Sequence, residues 1–498
     1  MKAQLAKGVL WLSAAKAVVT VLALCSTFIL ARLLTPEDFG LVALALTMLE
    51  VLAAVTELSL ASSLVHHAKP TEAHFHTAWT MNLIRGGLIG AGFAAASPWV
   101  AALYHDERLV PVMCWMGLSV FINGAANPRV VVLTRQLVFW QEFAVLVAQK
   151  LAGVVASIAV AYVFRSHWAL VVGLLCTQVA GVATSYIVVP YRPRFSLGHV
   201  RDLLSFSVWL SLGQIVNTLN WRLDHLFIGA SMGARALGLY TVGDKLAALP
   251  TRETIGPIEQ ALFPGLRALV DDPNRLKRGY LRAQAIIVAA AMPVGMLFAL
   301  QAEVIVRLVL GEKWLDAVVI IQMLAAVFAL QTLSSPVRPL AMAMGATRLL
   351  FMRDLVMFAV RVPVIAAAAW FGGLLMVLQA RAITGLATIV LNMTVVRKLS
   401  GLSMTAQLRS TERSLLSAAI AGVLVWQVRV LPGADAGWWW LAGEFAAVSL
   451  LGGLSYLAAH LVFWALASRP EGPETDLLAL LGKLRHKIIP HQVSPHDQ

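Results

Sequence analysis

Across 498 residues, 59% are hydrophobic and 13% carry a charge, with a mean hydropathy of +0.77, against about 25% charged residues in an ordinary soluble domain. A soluble fold is excluded, because two or three soluble domains of this total length would lack the charged residues to cover their surfaces. The formal net charge of +13 does not indicate nucleic acid, since the basic residues sit in short clusters between apolar runs and form no basic domain.

The chain opens with Lys2 and Lys7 ahead of an apolar run that reaches about residue 34, too long for the core of a cleaved signal peptide. It reads as an uncleaved first span from about residue 8. At about 20 residues per crossing, further spans are expected near 39–65, 78–103, 109–133, 138–164 and 167–189. The second half adds runs near 204–230, 236–262, 284–310, 314–344, 350–371, 374–396, 413–431 and 438–467. The expected fold is therefore all-α and integral to the membrane, with about 14 transmembrane helices. Cys25, Cys114 and Cys176 fall inside apolar runs with no metal-ligand spacing, so neither a disulfide framework nor a zinc site is expected.

With a cytoplasmic N-terminus, the basic residues sort by side of the membrane. Arg192, Arg194, Arg267, Arg275, Lys277, Arg278, Arg348, Arg397 and Lys398 fall in inner connections, whereas the outer ones hold Arg108, Arg165, Arg235 and Lys313. That asymmetry follows the positive-inside rule and ties span count to orientation, because one missed helix would scramble it. Both termini are expected inside a bacterial inner membrane.

Sliding the chain by 198 residues aligns Trp11-Leu12-Ser13 with Trp209-Leu210-Ser211 and, without a gap, Gly40-Leu41 with Gly238-Leu239. Each pair holds the same place in its helix pair. Six spans precede the second copy, so the expectation is two parallel six-helix repeats with alternating-access lobes in a V, as in some carriers. The expected divisions are 1–190 for the first lobe, 191–400 for the second, 401–467 for two added spans and 468–498 for a cytoplasmic tail. In that tail Leu477, Leu481, Leu484 and Ile488 are spaced helically around Lys483, Arg485 and Lys487, which suits the inner membrane surface; a partner-binding helix is the alternative.

Several segments resemble the multidrug/oligosaccharidyl-lipid/polysaccharide flippase superfamily and, within it, polysaccharide flippases of the Wzx type. Arg32-Leu33-Leu34-Thr35-Pro36-Glu37-Asp38-Phe39-Gly40 is similar to the loop joining the first two helices, and Gly233-Ala234-Arg235-Ala236-Leu237-Gly238-Leu239-Tyr240 to its second-lobe counterpart. Leu262-Phe263-Pro264 with the following Asp271-Asp272-Pro273-Asn274-Arg275-Leu276 resembles the central cytoplasmic loop, and Leu310-Gly311-Glu312-Lys313-Trp314 the outer loop before the tenth helix. The resemblance implies a V-shaped carrier that moves a polyprenyl-diphosphate-linked oligosaccharide to the outer leaflet for capsule, exopolysaccharide or lipopolysaccharide assembly. It also implies membrane lipid as surroundings and polysaccharide polymerase and glycosyltransferases as partners. A single chain forms such a path, so a monomer is expected.

Charged side chains at the bilayer centre cost roughly 2.5–3.5 kcal/mol on insertion scales and usually face a cavity or a partner. Lys245, Arg252 and Glu259 recur every seven residues on span eight; Asn217, Asn220, Trp221 and Asp224 form a stripe on span seven, with Arg222 on another face. Glu50 and Glu57 lie seven apart on span two, and Arg85, Arg338 and Arg361 mark spans three, ten and eleven. Arg222, Lys245, Arg252 and Arg338 are the candidates for a diphosphate, because guanidinium and ammonium groups match phosphate oxygens. Glu50, Glu57 and Asp224 are candidates for ion coupling or for charge balance. The bland alternative is that Lys245 pairs with Glu50 or Asp224 and that Arg85 and Arg361 snorkel to a helix end.

His66, His67, His74 and His76 crowd one short connection without a nearby Cys, a weak metal site best read as solvated. No Gly-rich phosphate loop is present, so no ATP hydrolysis and no cofactor are expected. The competing readings are a cation-coupled multidrug exporter, which should favour acidic residues in its cavity, a peptidoglycan lipid-precursor flippase, and a membrane enzyme of polysaccharide assembly. The enzyme would need a soluble loop for sugar chemistry, and every outer connection is only a few residues long.

Overall fold

The computed structural model describes residues 2–56, 60, 64, 70–135, 140–200, 208–429, 437–469, 472, 474 and 475. Among them the chain is 88% helical with no strand. Backbone groups in hydrocarbon must be satisfied within their own segment, which leaves helices as the form these apolar runs can take. The long ones are α1 (Lys2–Leu33), α2 (Pro36–Val55), α3 (Glu72–Tyr104), α4 (Leu109–Gly124), α5 (Trp140–Phe164), α6 (Trp168–Val188) and α7 (Val208–Arg267). They continue with α8 (Pro273–Leu300), α9 (Val318–Gln331), α10 (Thr347–Phe371), α11 (Gly373–Ser400), α12 (Glu412–Val428) and α13 (Trp438–Leu466). Nine helices among the described residues are long and apolar enough to cross a membrane. Leu88, Ile187, Phe371 and Trp439 are each more than two-thirds exposed, as side chains facing lipid and not water are. The protein is multi-pass. The tail motif from Leu477 to Ile488 lies outside the described residues.

The chain divides into two compact units. The first comprises Met1–Gly243, Val309–Ala317 and Asp354–Ala380, the second Asp244–Leu308, Val318–Arg353 and Arg381–Gln498. Unit 2 has a core in which Leu266, Tyr280, Leu340 and Val396 meet, and a second in which Val288, Met292, Ile389, Ala421 and Tyr456 meet.

In unit 1 the sequence motifs explain themselves as a corner. Thr35 caps α2 by accepting from Asp38 N–H, and Asp38 accepts from Thr35 N–H in return, with Pro36 at the first helical position. The 309–314 strip docks on this corner: Trp314, fully buried, donates from Nε1 to Ala31 O at 2.8 Å and meets the Phe39 ring edge-on. Lys313 Nζ donates to Arg32 O at 2.8 Å, and Arg32 Nε donates to Val309 O at 3.2 Å. Just outside the spans, Arg108 holds the Asp106 carboxyl below the usual carboxylate range by hydrogen bonding. The Pro-Glu-Asp-Phe-Gly and Glu-Lys-Trp signatures thus close one piece of architecture.

The Gly-Leu pairs of the two copies lie against each other in the same unit. A Cβ on Gly40 would overlap Ala234 O, and a Cβ on Gly238 would overlap Pro36 O, so both positions need glycine for the backbones to touch. The helical run of α7 is interrupted at Gly233, whose φ of 81° and ψ of 179° belong to a region that only glycine enters readily.

The histidines of the 66–76 connection divide. His66 and His67 lie outside the described residues. His74 is buried and accepts from Thr71 N–H at 3.2 Å as part of the α3 cap, and His76 Nδ1 is 2.7 Å from Tyr191 Oη. Burial pushes the Tyr191 phenol up to about 12. These two imidazoles are therefore not simply solvated, as the polarity of a short loop suggests: each is held by a neighbour that folding brings to it.

Gly233→Ala should lower the melting temperature of the detergent-solubilised protein by the equivalent of about 1–3 kcal/mol of backbone strain. Gly92, on a regular stretch of α3 with open space around its missing Cβ, should tolerate alanine or gain from it. Since neither new methyl meets a neighbour, equal shifts for the two variants would refute the backbone explanation.

Candidate functional site

The polar stripe on the first half of α7 meets α10 within unit 1. Asn220, buried, donates from Nδ2 to Asp354 O at 3.1 Å. Seven residues further along α10, the Arg361 guanidinium lies 4.6 Å over the Trp221 ring and donates from Nη2 to Asp224 at 3.3 Å. Asp224, 2% exposed, also accepts from Tyr240 Oη–H at 2.8 Å and from His225 N–H at 3.0 Å. Two residues seven apart on α10 therefore serve positions 220, 221 and 224, which share one face of α7. Snorkelling of Arg361 is overturned. Its residue exposure is 8%, because a buried carboxylate needs a cation beside it more than a cation near a helix end needs water.

Arg222, on another face of α7, reaches α2 and pairs with Glu50 at 2.6 Å, each side chain being over one-third exposed or close to it. Glu57 lies outside the described residues. Glu50 in turn lines a half-open cavity of about 370 Å³ enclosed by α2, α3, α4 and α6. Arg85 stands in its wall, with Nη2 donating to Ala53 O at 2.8 Å and Nε to Thr56 Oγ1 at 3.4 Å. Across it Asn123 Nδ2 donates to Gln178 Oε1 at 2.7 Å, and Asn82 lines the same space. Sequence reading weighs charges first, because an uncharged amide in an apolar run costs far less, and so passes over Asn82, Asn123 and Gln178. The available signal was three primary amides inside apolar runs of neighbouring helices.

In unit 2, Lys245 and Arg252 are exposed and Glu259 half-buried along one face of α7. Arg338, on the short helix Val337–Ala343, is exposed and within electrostatic reach of Glu259. Among the described residues of this unit Arg381 is a buried cation, 5% exposed, with Nη2 donating to Asp244 at 2.9 Å. Sequence reading did not single it out. It heads a row on α11 with Thr384, Thr388 and Asn392, where Asn392 accepts from Arg353 at 3.4 Å and donates to Ser334 at 3.1 Å. Among the described residues, no group of three or more His, Cys, Asp or Glu side chains is arranged to hold a metal ion.

The chain is all-helical and multi-pass, with polar clusters inside each unit, and its fold matches that of a solved membrane protein. The chain superposes on the inward closed conformation of the lipid II flippase MurJ with a TM-score of 0.71 at 13% identity, over 93% of this chain and 100% of that one. The family model described as "polysaccharide biosynthesis protein" matches residues 29–319, and the chain belongs to that family. It is 23% identical over 343 residues to the lipopolysaccharide biosynthesis protein WzxC of Escherichia coli (strain K12), covering 68% of this chain and 69% of that one. It is 22% identical over 431 residues to the teichuronic acid biosynthesis protein TuaB of Bacillus subtilis (strain 168), covering 85% and 89%. The resemblance read from the motifs holds, and the family is one of transporters and not of enzymes.

Asp224→Asn should destabilise the protein by about 3–5 kcal/mol, the cost of leaving a buried cation without its partner. Combining it with Arg361→Met should recover most of that loss in thermal unfolding of the full-length protein. A double variant no more stable than the single one would show that the pair is not the dominant contact.

Proposed function

We propose that this protein flips a polyprenyl-diphosphate-linked oligosaccharide from the cytoplasmic to the outer leaflet of a bacterial inner membrane, for exopolysaccharide, capsule or lipopolysaccharide synthesis. The observation that carries the reading is a polar cavity among the helices of an apolar, multi-pass member of the polysaccharide biosynthesis family. Relatives named for lipopolysaccharide and teichuronic acid biosynthesis support the reading.

The layout proposed with it is about 14 spans in two parallel six-helix repeats plus two C-terminal spans, with both termini cytoplasmic. The reciprocal glycine contact supports the repeat: Pro36 to Ala234 and Gly40 to Gly238 are both separations of 198 residues, as a pseudo-two-fold relation between the copies demands. The cations assigned to the diphosphate are Arg222 in unit 1 and Lys245, Arg252 and Arg338 in unit 2, each to be tested by itself. Arg222 would exchange Glu50 for phosphate, a swap between two oxyanions of similar geometry. For Asp224 and Glu50 the contacts with Arg361 and Arg222 favour charge balance over ion coupling. An inside-negative potential favours outward movement of an anion by about 2.3 kcal/mol per charge per 100 mV. The protein works as a monomer beside polymerase and glycosyltransferases.

Deleting the gene should abolish surface polymer while polyprenyl-diphosphate-linked repeat units accumulate in the inner membrane, both reversed by complementation. Normal polymer together with new drug sensitivity would sink the reading in favour of multidrug export. Complementation with Lys245→Ala should fail at normal membrane levels of the protein; unchanged export would remove Lys245 from the site.

A further inference from the structure

The cavity of unit 1 is chemically unlike a phosphate site. Among its lining residues the one guanidinium, Arg85, is anchored to the Ala53 carbonyl, and Glu50, paired with Arg222, lines the same wall, so the cavity offers little positive charge to a dianionic group. An amphipathic cation would in turn face Arg85. What the walls do match is a neutral, hydroxyl-rich ring. A carboxylate only accepts hydrogen bonds, a guanidinium only donates them, and primary amides do both; a sugar presents hydroxyls that need all three. The Asn123–Gln178 bond fixes two amides across α4 and α6, while the chemistry of the pair leaves an amide oxygen on Asn123 and an amide N–H₂ on Gln178 for a ligand. Leu49 and Ile89 supply apolar surface for the C–H faces of a ring. The volume of about 370 Å³ falls within the roughly 300–1,000 Å³ of small-molecule sites.

From this arrangement we infer that Glu50, Asn82, Arg85, Asn123 and Gln178 form a glycan subsite, which holds a sugar residue of the cargo apart from its diphosphate. The assignment rests on the flippase reading and deepens it: the lipid diphosphate is common to many cargoes, so a site for the sugar is where one repeat unit is told from another. Selectivity there comes from matching: a ring that offers hydroxyls to both the donors and the acceptors of these half-exposed walls gains hydrogen bonds that a ring without them cannot make.

The test uses full-length protein in lipid nanodiscs and two probes, polyprenyl diphosphate alone and the lipid-linked oligosaccharide extracted from the deletion strain. Asn123→Leu/Gln178→Leu should weaken binding of the glycan-bearing lipid at least tenfold and leave that of polyprenyl diphosphate unchanged. If the double variant does not fold, Ala53→Phe carries the test: it places a ring in the cavity and keeps the carbonyl that Arg85 uses. Equal weakening of both probes, or of neither, overturns the subsite and leaves the flippase reading standing. Wild-type protein that binds neither probe overturns the flippase reading and the subsite with it.

Discussion

Charge inside hydrocarbon is the constraint on which this structure turns. In a chain of which 13% is charged, an ionised group buried within a span has to be matched, and the match fixes which helices touch. Asp224 and Arg361 are the strongest case. The carboxylate is met by a guanidinium, a phenol and a backbone N–H, and the guanidinium rests on an indole face. Each partner comes from a different turn or helix, so the cluster sets the rotation of α10 against the first half of α7. With polar contacts otherwise scarce and lipid as apolar as the core, such contacts and close small-residue packing decide helix association.

The same logic separates structural charge from charge available to a cargo. Asp224–Arg361 is a sealed pair, and removing either partner leaves the other as an uncompensated buried charge; in Asp244–Arg381 the arginine is the buried member. Glu50–Arg222 is different: both side chains remain substantially accessible, so the pair can reorganise at a modest cost. A carrier needs both kinds, rigid pairs that define its helices and looser ones that trade partners as its contents change. Next to the loose pair, the amide-walled cavity offers neutral hydrogen bonding where a purely cationic lumen would offer only charge.

The motifs that made the family legible are chiefly architectural. Thr35, Asp38 and Trp314 commit their polar groups to helix caps and a backbone carbonyl, and Gly40 and Gly238 are glycines because two backbones occupy the space a side chain would fill. This is why such motifs identify the fold well and the cargo poorly. They report how the corner closes, and a corner closes in the same way whatever crosses the membrane.

The sequence by itself determined the solvent, the helical class, the family and the face on which Asn220, Trp221 and Asp224 lie, since hydropathy, motif spacing and the 3.6-residue turn are properties of a linear chain. It also brought Arg222, Glu50 and Asp224 to notice, because the cost of burying charge makes each conspicuous in an apolar run. Partnership was beyond it. Arg361 is 137 residues from Asp224 and Arg381 is 137 from Asp244; only the packing of helices brings those charges together, and only that packing distinguishes an arginine that reaches for water from one that is buried. The cavity amides were likewise decided by tertiary structure. Asn82, Asn123 and Gln178 come from three helices, and a neutral side chain gives no sign in the sequence of the space it will share.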